Sequence, residues 1–357
     1  MGASFGERYK VTVFGQSHSQ VMGAVIDGIP AGTVIDTEAL ARFMARRAPG
    51  SGPLSTPRRE SDLPEIVSGT ADGVCCGAPL CIIIKNTDAR SADYERIRSV
   101  PRPSHADYPA YVKYGGHNDI RGGGQFSGRL TAPFCAAGGI ALQLLEKRGI
   151  RVFSHILSVG GIKDEPFDPV SPDTERLGAL AGLRLAVLDP AAGERMAAEI
   201  KAAHADGDSV GGIAECMVTG LPAGVGEPIY DSLESRIASL VFSIPAVKGV
   251  EFGSGFAGSA LRGSRNNDPY RVLDGRIVTS SNNSGGICGG ISTGMPVLFR
   301  AAFKPTPSIS RPQASVLLEE MKDETLEITG RHDPCIVPRA LPAVEAAAAM
   351  AVLDLMI

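Results

Sequence analysis

The chain has 357 residues, 43% of them hydrophobic, which is enough to bury the core of one or two domains. Its net charge of −4 argues against a nucleic-acid-binding protein with a broad basic face. No run reaches the roughly 18 apolar residues of a membrane span, and residues 1–10 lack the apolar core of a signal peptide. We therefore expect neither membrane insertion nor secretion.

Seven cysteines are present, an odd number, and no two of them form a C-x-x-C pair. This usage favours reduced thiols in the cytoplasm over a disulfide framework or a zinc site. Most of the cysteines have apolar neighbours, so we expect them to be packing residues.

The first half of the chain alternates between strand and helix patterns. Apolar and β-branched runs predict strands at 11–14, 21–26, 66–69, 78–85 and 150–159. Amphipathic or apolar runs predict helices at 36–47 and 132–147. Prolines predict an irregular segment at 101–108, and the weak pattern of 163–190 predicts a peripheral insertion.

The second half repeats this mixture, although no residue-level repeat is visible. Helices are predicted at 191–204, 233–242 and from Pro342 to the end, and strands at 213–219, 247–252 and 297–303. A long loop rich in Ser, Asn and Gly is predicted at 280–294. Taken alone, these patterns predict an α/β enzyme.

The most informative stretch runs from Arg121 to Arg129 and contains three consecutive glycines. Backbone without Cβ atoms allows several N–H groups to converge on a ligand, and a helix follows whose N-terminus favours anions. With two arginines flanking it, and with His105, His117 and Asp119 just upstream, the stretch predicts an anion site. The alternative is a tight turn that only packs.

Several further residues are candidates for chemistry. His18 follows a strand in a Gly/Ser turn, where functional side chains are common, although it could be a solvated loop histidine. His105 precedes Asp107 by two residues, so His105 could be an acid whose ring is oriented by Asp107. Two prolines stiffen Lys304–Ser308. Asp333 has basic neighbours in the sequence, and a neighbouring arginine tends to keep a carboxylate ionised.

Residues 253–258 match G-x-G-x-x-G, the pattern of dinucleotide-binding loops. Such a loop requires a helix to begin at the glycines, and the residues that follow are polar and typical of turns. A nicotinamide-dependent oxidoreductase is therefore a weak alternative, as is a non-catalytic anion-binding or assembly protein.

Seven longer motifs point to a family. In order they are Gly15-Gln-Ser-His18, Arg46-Arg-Ala-Pro-Gly50, Arg102-Pro-Ser-His-Ala-Asp-Tyr108, Asp119-Ile-Arg-Gly-Gly-Gly124, Gly285-Gly-Ile-Cys-Gly-Gly-Ile-Ser292, Lys304-Pro-Thr-Pro-Ser-Ile309 and Gly330-Arg-His-Asp-Pro-Cys335. Together they resemble the signature of the chorismate synthase family over nearly the whole chain.

The resemblance implies a single domain, residues 1–357, of the α+β class: a β-α-β sandwich with helices packed between two mainly antiparallel sheets. It implies a lyase that converts 5-enolpyruvylshikimate 3-phosphate to chorismate and phosphate by anti-1,4-elimination, the last step of the shikimate pathway. Reduced FMN is required without net redox change; it is thought to lend an electron transiently, with N5 taking part in proton removal. The family is usually homotetrameric.

The resemblance also assigns roles to residues. His18 would donate a proton to the leaving phosphate, His105 would act on the protonation state of the flavin, and Asp333 would be the base. The arginines that would hold substrate phosphate and carboxylates are Arg47, Arg129 and Arg331. The residues that would line FMN are Gln125, Ser127, Ala246, Gly289, Lys304, Pro305, Thr306, Pro307, Ser308 and Arg331.

A few positions depart from the common family pattern, which has other residues at Gln16, Ser19 and Pro53 and in the segment 125–130. We expect the chemistry to be retained, with phosphate or flavin held differently near Gln125 and Pro53. The route of FMN reduction is open between an NADPH-dependent activity of this chain and a separate flavin reductase. Residues 50–62 and 280–294 are the loops that we expect to order on binding.

Overall fold

The structure is a computed structural model that describes residues 2–49, 62–86, 95–328 and 333–357. Predictions made for Pro53, for the rest of 50–61 and for Arg331 lie outside these residues. The helices of the described residues are α1 Thr37–Arg47, α2 Glu95–Ser99, α3 Asp107–Tyr114, α4 Thr131–Glu146, α5 Thr174–Ala179, α6 Pro190–Ala205, α7 Leu233–Ser243, α8 Gly255–Gly258, α9 Gly263–Asn266 and α10 Val337–Met356. None of them is long and apolar enough to cross a bilayer.

Two five-stranded sheets carry the architecture, and every strand pairing in them is antiparallel. The first has the order β1-β2-β3-β7-β4, and the second has the order β11-β16-β10-β8-β9. Strands of the first sheet are β1 Ser4–Phe5, β2 Lys10–Phe14, β3 Val21–Asp27, β4 Glu65–Ser68 and β7 Leu80–Lys85. Strands of the second are β8 Arg151–Val159, β9 Ile162–Lys163, β10 Gly212–Thr219, β11 Val247–Phe252 and β16 Val297–Phe303.

Small two-stranded ribbons make up the remaining β structure of the described residues. They are β5 Thr70–Ala71 with β6 Val74–Cys75, β12 Tyr270–Leu273 with β13 Arg276–Thr279, β14 Ile287–Cys288 with β15 Ile291–Ser292, and β17 Gln313–Leu317 with β18 Lys322–Leu326. The sequence patterns did not predict these ribbons, because their residues alternate too briefly and are largely exposed.

A layer of helices lies between the two sheets. Helix α4 packs on the first sheet, α10 packs on the second, and α4 and α10 pack against each other, with α1 and α7 beside them. Helix α10 is buried nearly all round, which explains its run of small apolar residues. At Gly138 of α4 a Cβ atom would collide with Ala346 of α10, so glycine is required for the two helices to approach this closely.

Buried charge also joins these layers. The guanidinium of Arg46 in α1 donates two hydrogen bonds of 2.6 and 2.7 Å to the carboxylate of Glu345 in α10. Ser154 of β8 donates a third, of 2.6 Å, to the same carboxylate. The pKa of Arg46 is raised because Glu345 outweighs the opposing effect of burial.

The start of α10 corrects one sequence prediction. Pro342 was expected to begin the helix, yet the helix begins at Val337 and Pro342 lies inside it. Proline lacks the N–H that would bond to the carbonyl four residues back, which is why it suggests a boundary. Here the surrounding apolar residues are buried in the helix layer, and that packing outweighs the missing bond.

A second, smaller correction concerns the end of 101–108. Residues 101–106 are irregular, as the prolines predicted, but helix α3 begins at Asp107 and contains Pro109 in its first turn, where proline needs no N–H partner. The segment 163–190 contains α5 and packs on β8 through buried apolar side chains such as Phe167 and Leu177. Its description as an insertion stays a prediction.

The N-terminal strands are tied to the end of α10. The carboxylate of Asp354 accepts hydrogen bonds of 2.8 to 2.9 Å from the backbone N–H groups of Glu7, Arg8 and Tyr9. The phenol of Tyr9 donates in turn to the carbonyl of Ala137 in α4, at 2.8 Å. One buried carboxylate therefore joins the first sheet to the helix layer.

Candidate active site

One cavity of about 660 Å³ opens at an end of the helix layer. Ends of four helices meet there: the last residue of α1, the first of α4, the last of α7 and the first turn of α10. Its polar and charged lining residues are Arg47, Arg102, Ser104, His105, Gln125, Ser127, Arg129, Thr131, Ser243, Lys248, Lys304, Thr306, Ser308, Asp333 and Arg339. A volume of this size suits a cofactor or a substrate.

The turn of three glycines lies beside this cavity, and Gly122 lines it. Gly122, Gly123 and Gly124 all have positive φ, of 60°, 85° and 54°, which only glycine adopts readily. A Cβ atom on Gly122 would collide with His18, and the N–H of Ser17 donates to the carbonyl of Gly124 at 3.1 Å. The turn that carries His18 is thereby fixed against the three glycines. Two motifs that lie about 100 residues apart in the sequence are therefore in contact.

The helix after the glycines begins one residue before its predicted start at Ala132. Residues Gly128–Leu130 form a 3₁₀ turn and α4 begins at Thr131, so the glycines themselves do not start the helix. Arg121, expected to flank an anion, is half-exposed and forms a two-point ion pair with Asp119 at 2.9 Å instead. Of the two flanking arginines, Arg129 is the one that lines the cavity.

A buried carboxylate joins two predicted substrate-binding arginines. Asp62 accepts a hydrogen bond from Arg47 on one oxygen and from Arg129 on the other, and all three side chains are almost fully buried. Arg47 also donates to the hydroxyl of Thr131 at 3.0 Å, and Arg129 to the amide oxygen of Asn86 at 3.2 Å. The sequence patterns did not single out Asp62, because nothing in its neighbourhood marks it as the partner of residues 15 and 67 positions away.

His105 and Asp107 are in contact, as their spacing predicted. The imidazole Nδ1 lies 2.6 Å from Oδ1 of Asp107, and Arg102 donates to the same carboxylate through Nε at 2.7 Å and Nη2 at 2.9 Å. Burial alone would raise the pKa of Asp107, but the hydrogen bonds from Arg102 and His105 hold it far below its ordinary value. Burial lowers the pKa of His105, and the charges of Arg102 and Lys304 add to that effect against Asp107.

Asp333 is held by a residue that the sequence patterns missed. Arg339, one turn into α10, donates to Asp333 at 2.5 Å through Nη1 and to the carbonyl of Arg47 at 3.0 Å through Nε. Burial lowers the pKa of Arg339. Because α10 was predicted to begin at Pro342, Arg339 was assigned to a loop, and its alignment with Asp333 could not be foreseen.

The cavity is also lined by Lys304, Thr306, Pro307 and Ser308, and Lys304 donates to the carbonyl of Ser104. Burial and the neighbouring Lys248 lower the pKa of Lys304. Within the described residues the buried hydroxyl of Thr306 has no hydrogen-bond partner, so it can take a polar group of a ligand.

Ala246 also lines this side, with a φ of 74° that is unusual for a residue with a side chain. Not every predicted residue lines the cavity, however. Gly289 lies exposed in the turn between β14 and β15, and Pro305 is absent from the lining.

A second histidine cluster lies away from the cavity. His155 of β8 is fully buried, with Nδ1 3.1 Å from Asp164 and Nε2 3.0 Å from Glu215. Arg300 donates to Glu215 at 2.8 Å. Burial opposes charge on His155, but the two carboxylates raise its pKa above the ordinary value.

Residues 253–258 do not form a dinucleotide-binding loop. Only the four-residue helix α8 covers Gly255–Gly258, and the next helix, α9, is again four residues long. The strand before the glycines, β11, is an antiparallel edge strand rather than the first strand of a parallel unit.

Comparison with known proteins decides between these alternatives. A family model described as chorismate synthase matches residues 9–357. The chain belongs to the chorismate synthase family. Chorismate synthase of Korarchaeum cryptofilum (strain OPF8) is 46% identical over 353 residues, covering 99% of this chain and 97% of its own. That of Dehalococcoides mccartyi (strain ATCC BAA-2100 / JCM 16839 / KCTC 5957 / BAV1) is 47% identical over 355 residues, covering 99% and 96%.

The fold agrees with that assignment. A crystal structure of chorismate synthase superimposes with a TM-score of 0.78 at 25% identity, covering 99% of this chain and 92% of its own. The predicted α+β sandwich is therefore confirmed, and the α/β alternative with a dinucleotide loop is wrong. As a chorismate synthase the protein is a lyase of aromatic amino acid biosynthesis that forms chorismate.

Proposed function

We propose that the protein forms chorismate from 5-enolpyruvylshikimate 3-phosphate by anti-1,4-elimination of phosphate, with reduced FMN as cofactor. The observation that supports this most is the convergence of Arg47, Arg129, His105 and Asp333 on one cavity. The substrate carries a phosphate and two carboxylates, which forked guanidinium groups bind well. A proton must also leave a ring carbon, which requires a base near the bound anion.

The arginines hold the anionic groups in this proposal. Arg47 and Arg129 share Asp62, so the pair carries one net positive charge and its side chains are already fixed before substrate arrives. Arg339 adds a third guanidinium, largely balanced by Asp333. Such preorganisation reduces the entropy lost on binding. Arg331 stays a proposed substrate and flavin ligand.

Proton transfer is divided among three side chains. Asp333, held in orientation by Arg339, is the proposed base for the ring proton. His18, behind Gly122, is the proposed proton donor to the departing phosphate. His105 acts at the cofactor side of the cavity, where Lys304 also lies.

The residues around the cavity fit a flavin nucleotide. Reduced FMN, when bound, would supply an electron transiently and take it back. Lys304 and Lys248 offer positive charge to a phosphate, and the unpartnered hydroxyl of Thr306 offers a hydrogen bond to a polar ring atom or phosphate oxygen. Further proposed contacts are Gln125, Ser127, Ala246, Pro307 and Ser308, which line the cavity, and Gly289 and Pro305, which do not.

Anaerobic turnover with dithionite-reduced FMN tests the proposal. Chorismate absorbance and released phosphate are followed together, and we expect equal amounts of both, dependent on reduced flavin. Asp333→Asn serves as the variant, with an expected loss of about 10²–10⁴-fold in kcat because a general base is removed. Absence of product from the fully reduced wild-type protein would overturn the proposed substrate and cofactor.

A second arm addresses the reduction of FMN. Oxidised FMN with NADPH replaces dithionite, with and without an added flavin reductase. Turnover with NADPH alone would assign the reduction to this chain, and turnover only after the reductase is added would assign it to a partner.

We also propose a homotetramer in the cytoplasm. The ribbon β12–β13 presents Tyr270, Val272 and Ile277 to solvent, each at least 70% exposed, which is typical of a surface covered by another subunit. All seven cysteines are unpaired, as in a reducing compartment. Sedimentation equilibrium tests the assembly: Val272→Asp with Ile277→Asp should lower the mass from four chains, whereas a wild-type mass of one chain would contradict it.

A further inference from the structure

Nδ1 of His105 contacts one hydrogen-bond acceptor and one hydrogen-bond donor. Oδ1 of Asp107 lies 2.6 Å away and Nη2 of Arg102 lies 3.1 Å away. A guanidinium only donates hydrogen bonds, and an ionised carboxylate only accepts them. Nδ1 must therefore carry a proton to bond with Asp107, or lack one to bond with Arg102.

The surrounding contacts favour the bond to Asp107. Arg102 donates to this carboxylate three times, through its backbone N at 3.0 Å, Nε at 2.7 Å and Nη2 at 2.9 Å. These bonds hold the carboxylate ionised against its burial. The contact of Nδ1 with the ionised carboxylate, at 2.6 Å, is also shorter than its contact with Nη2, at 3.1 Å, which favours a proton on Nδ1.

The charge of the ring follows from its environment. Arg102, Asp107 and Lys304 are the charged groups that affect it, and two of the three are cations. Burial adds to their effect, because only 15% of the side chain is exposed. A neutral ring with a proton on Nδ1 has its lone pair on Nε2.

Nε2 lies beside Gly123, where a Cβ atom would be only 3.3 Å from it, so glycine allows the ring to pack this closely. The side chain of His105 lines the cavity. The contacts on the opposite side of the ring, to Asp107, are all at Nδ1. The ring is therefore held through Nδ1, which leaves Nε2 to bond with a ligand.

We propose that Arg102 and Asp107 are positioning residues that fix His105 as the Nδ1–H tautomer and present Nε2 to the cavity as a hydrogen-bond acceptor. The ligand that donates to Nε2 is then an N–H or O–H group, which a protonated reduced flavin ring offers. This last step rests on the proposed function, whereas the tautomer does not. Asp107 itself touches no ligand in this scheme.

Nuclear magnetic resonance of protein labelled with ¹⁵N-histidine tests the tautomer directly, without substrate or cofactor. The chain has six histidines, and loss of one signal set in His105→Gln assigns the resonance. At pH 7.5 we expect a protonated nitrogen at Nδ1 and an unprotonated one at Nε2. A proton on Nε2 alone, or on both nitrogens, would overturn the proposal.

Asp107→Asn is the informative variant, and Asp168→Asn is its matched control, because Asp168 also accepts hydrogen bonds but lies outside the cavity lining. We expect the Asn variant to populate both tautomers of His105 and to lose kcat on the order of 10²-fold with little change in KM. Restoration of the carboxylate as Asp107→Glu should recover part of the kcat and the Nδ1–H signal.

The outcomes separate the two proposals. If the wild-type protein has the Nδ1–H tautomer but forms no chorismate, the tautomer stands and the proposed substrate or cofactor fails. If it turns over and Asp107→Asn changes the tautomer without changing kcat or its pH profile, the positioning role fails. Should the Asn variant not fold, the wild-type spectrum still decides the tautomer.

Discussion

Two histidine clusters of similar composition have opposite electrostatics. His105 shares one carboxylate with Arg102 beside a cavity, and its pKa is lowered. His155 lies between two carboxylates in a closed interior, and its pKa is raised. The ratio of carboxylates to cations in each cluster therefore shifts the pKa of its histidine in opposite directions. Of the two histidines, only His105 lines the cavity, where it could contact a ligand. We therefore expect the first cluster to act on a ligand and the second to stabilise the fold.

The largest effect is expected in activity at the cavity cluster. His105→Leu should lower kcat by about 10²–10⁴-fold because a group that handles protons is lost. Its free energy of unfolding should fall by no more than about 1 kcal/mol, since Asp107 keeps its bonds from Arg102. Steady-state kinetics and urea denaturation measure the two quantities. A loss of several kcal/mol without loss of activity would reverse the assignment.

The same substitution at the buried cluster should act on stability. His155→Leu leaves Asp164 and Glu215 buried without the imidazole that contacts both, which is expected to lower the free energy of unfolding by about 3–5 kcal/mol. Phe167 also loses its contact, at 4.2 Å between ring centroids. Residual folded protein should retain its kcat, because His155 lies outside the cavity lining. Unchanged urea midpoints would show that the cluster is not structural.

The pH dependence of stability should have opposite signs at the two sites. The raised pKa of His155 gives a contribution that is complete below its ordinary value of 6.5 and is lost as pH rises through the folded pKa. The lowered pKa of His105 gives a contribution that is present above 6.5 and is lost as pH falls.

Urea denaturation from pH 5 to 9 tests this, with a slope of at most about 1.4 kcal/mol per pH unit for each group. Relative to wild type, His155→Gln should remove a decline above 6.5, and His105→Gln should remove a decline below it. Equal curves for both variants would mean that the two clusters are electrostatically alike.

The smallest effect concerns backbone strain in the cavity wall. Ala246 has a φ of 74°, so Ala246→Gly should raise the free energy of unfolding by about 0.5–1 kcal/mol. Ala340, also in the lining, lies inside helix α10, and Ala340→Gly should instead lower it by a similar amount. Thermal denaturation measures both, and destabilisation by both substitutions would exclude strain at Ala246.

Sequence patterns predicted the parts of the fold that depend on periodicity. The central strands such as β8 and β16 and the long helix α4 were placed within a few residues, because their apolar spacing is dictated by burial. The start of α10 was wrong, since a local rule about proline could not foresee the packing around it. The layered architecture itself came from the family resemblance.

The site was predicted unevenly for a similar reason. His105 and Asp107 are two residues apart, so their contact could be read from their spacing. Asp62 meets Arg129, 67 residues away, and Arg300 meets Glu215 across neighbouring strands, and neither pairing leaves a local pattern. Long-range charge pairing depends on the assembled fold. Local composition therefore revealed Arg47 and Arg129 but not Asp62, the carboxylate that holds them.

The bond network of Asp354 has a consequence for how the molecule folds. It joins α10 to backbone groups about 345 positions earlier in the chain, and α10 also separates the two sheets. Contacts between such distant segments form only after a long loop has closed, which slows folding. Until α10 docks, the inner face of the second sheet and the side of α4 that α10 covers are open to solvent. The insertion of this helix should therefore be a late, rate-limiting event, and the intermediate before it is the species most exposed to aggregation and proteolysis.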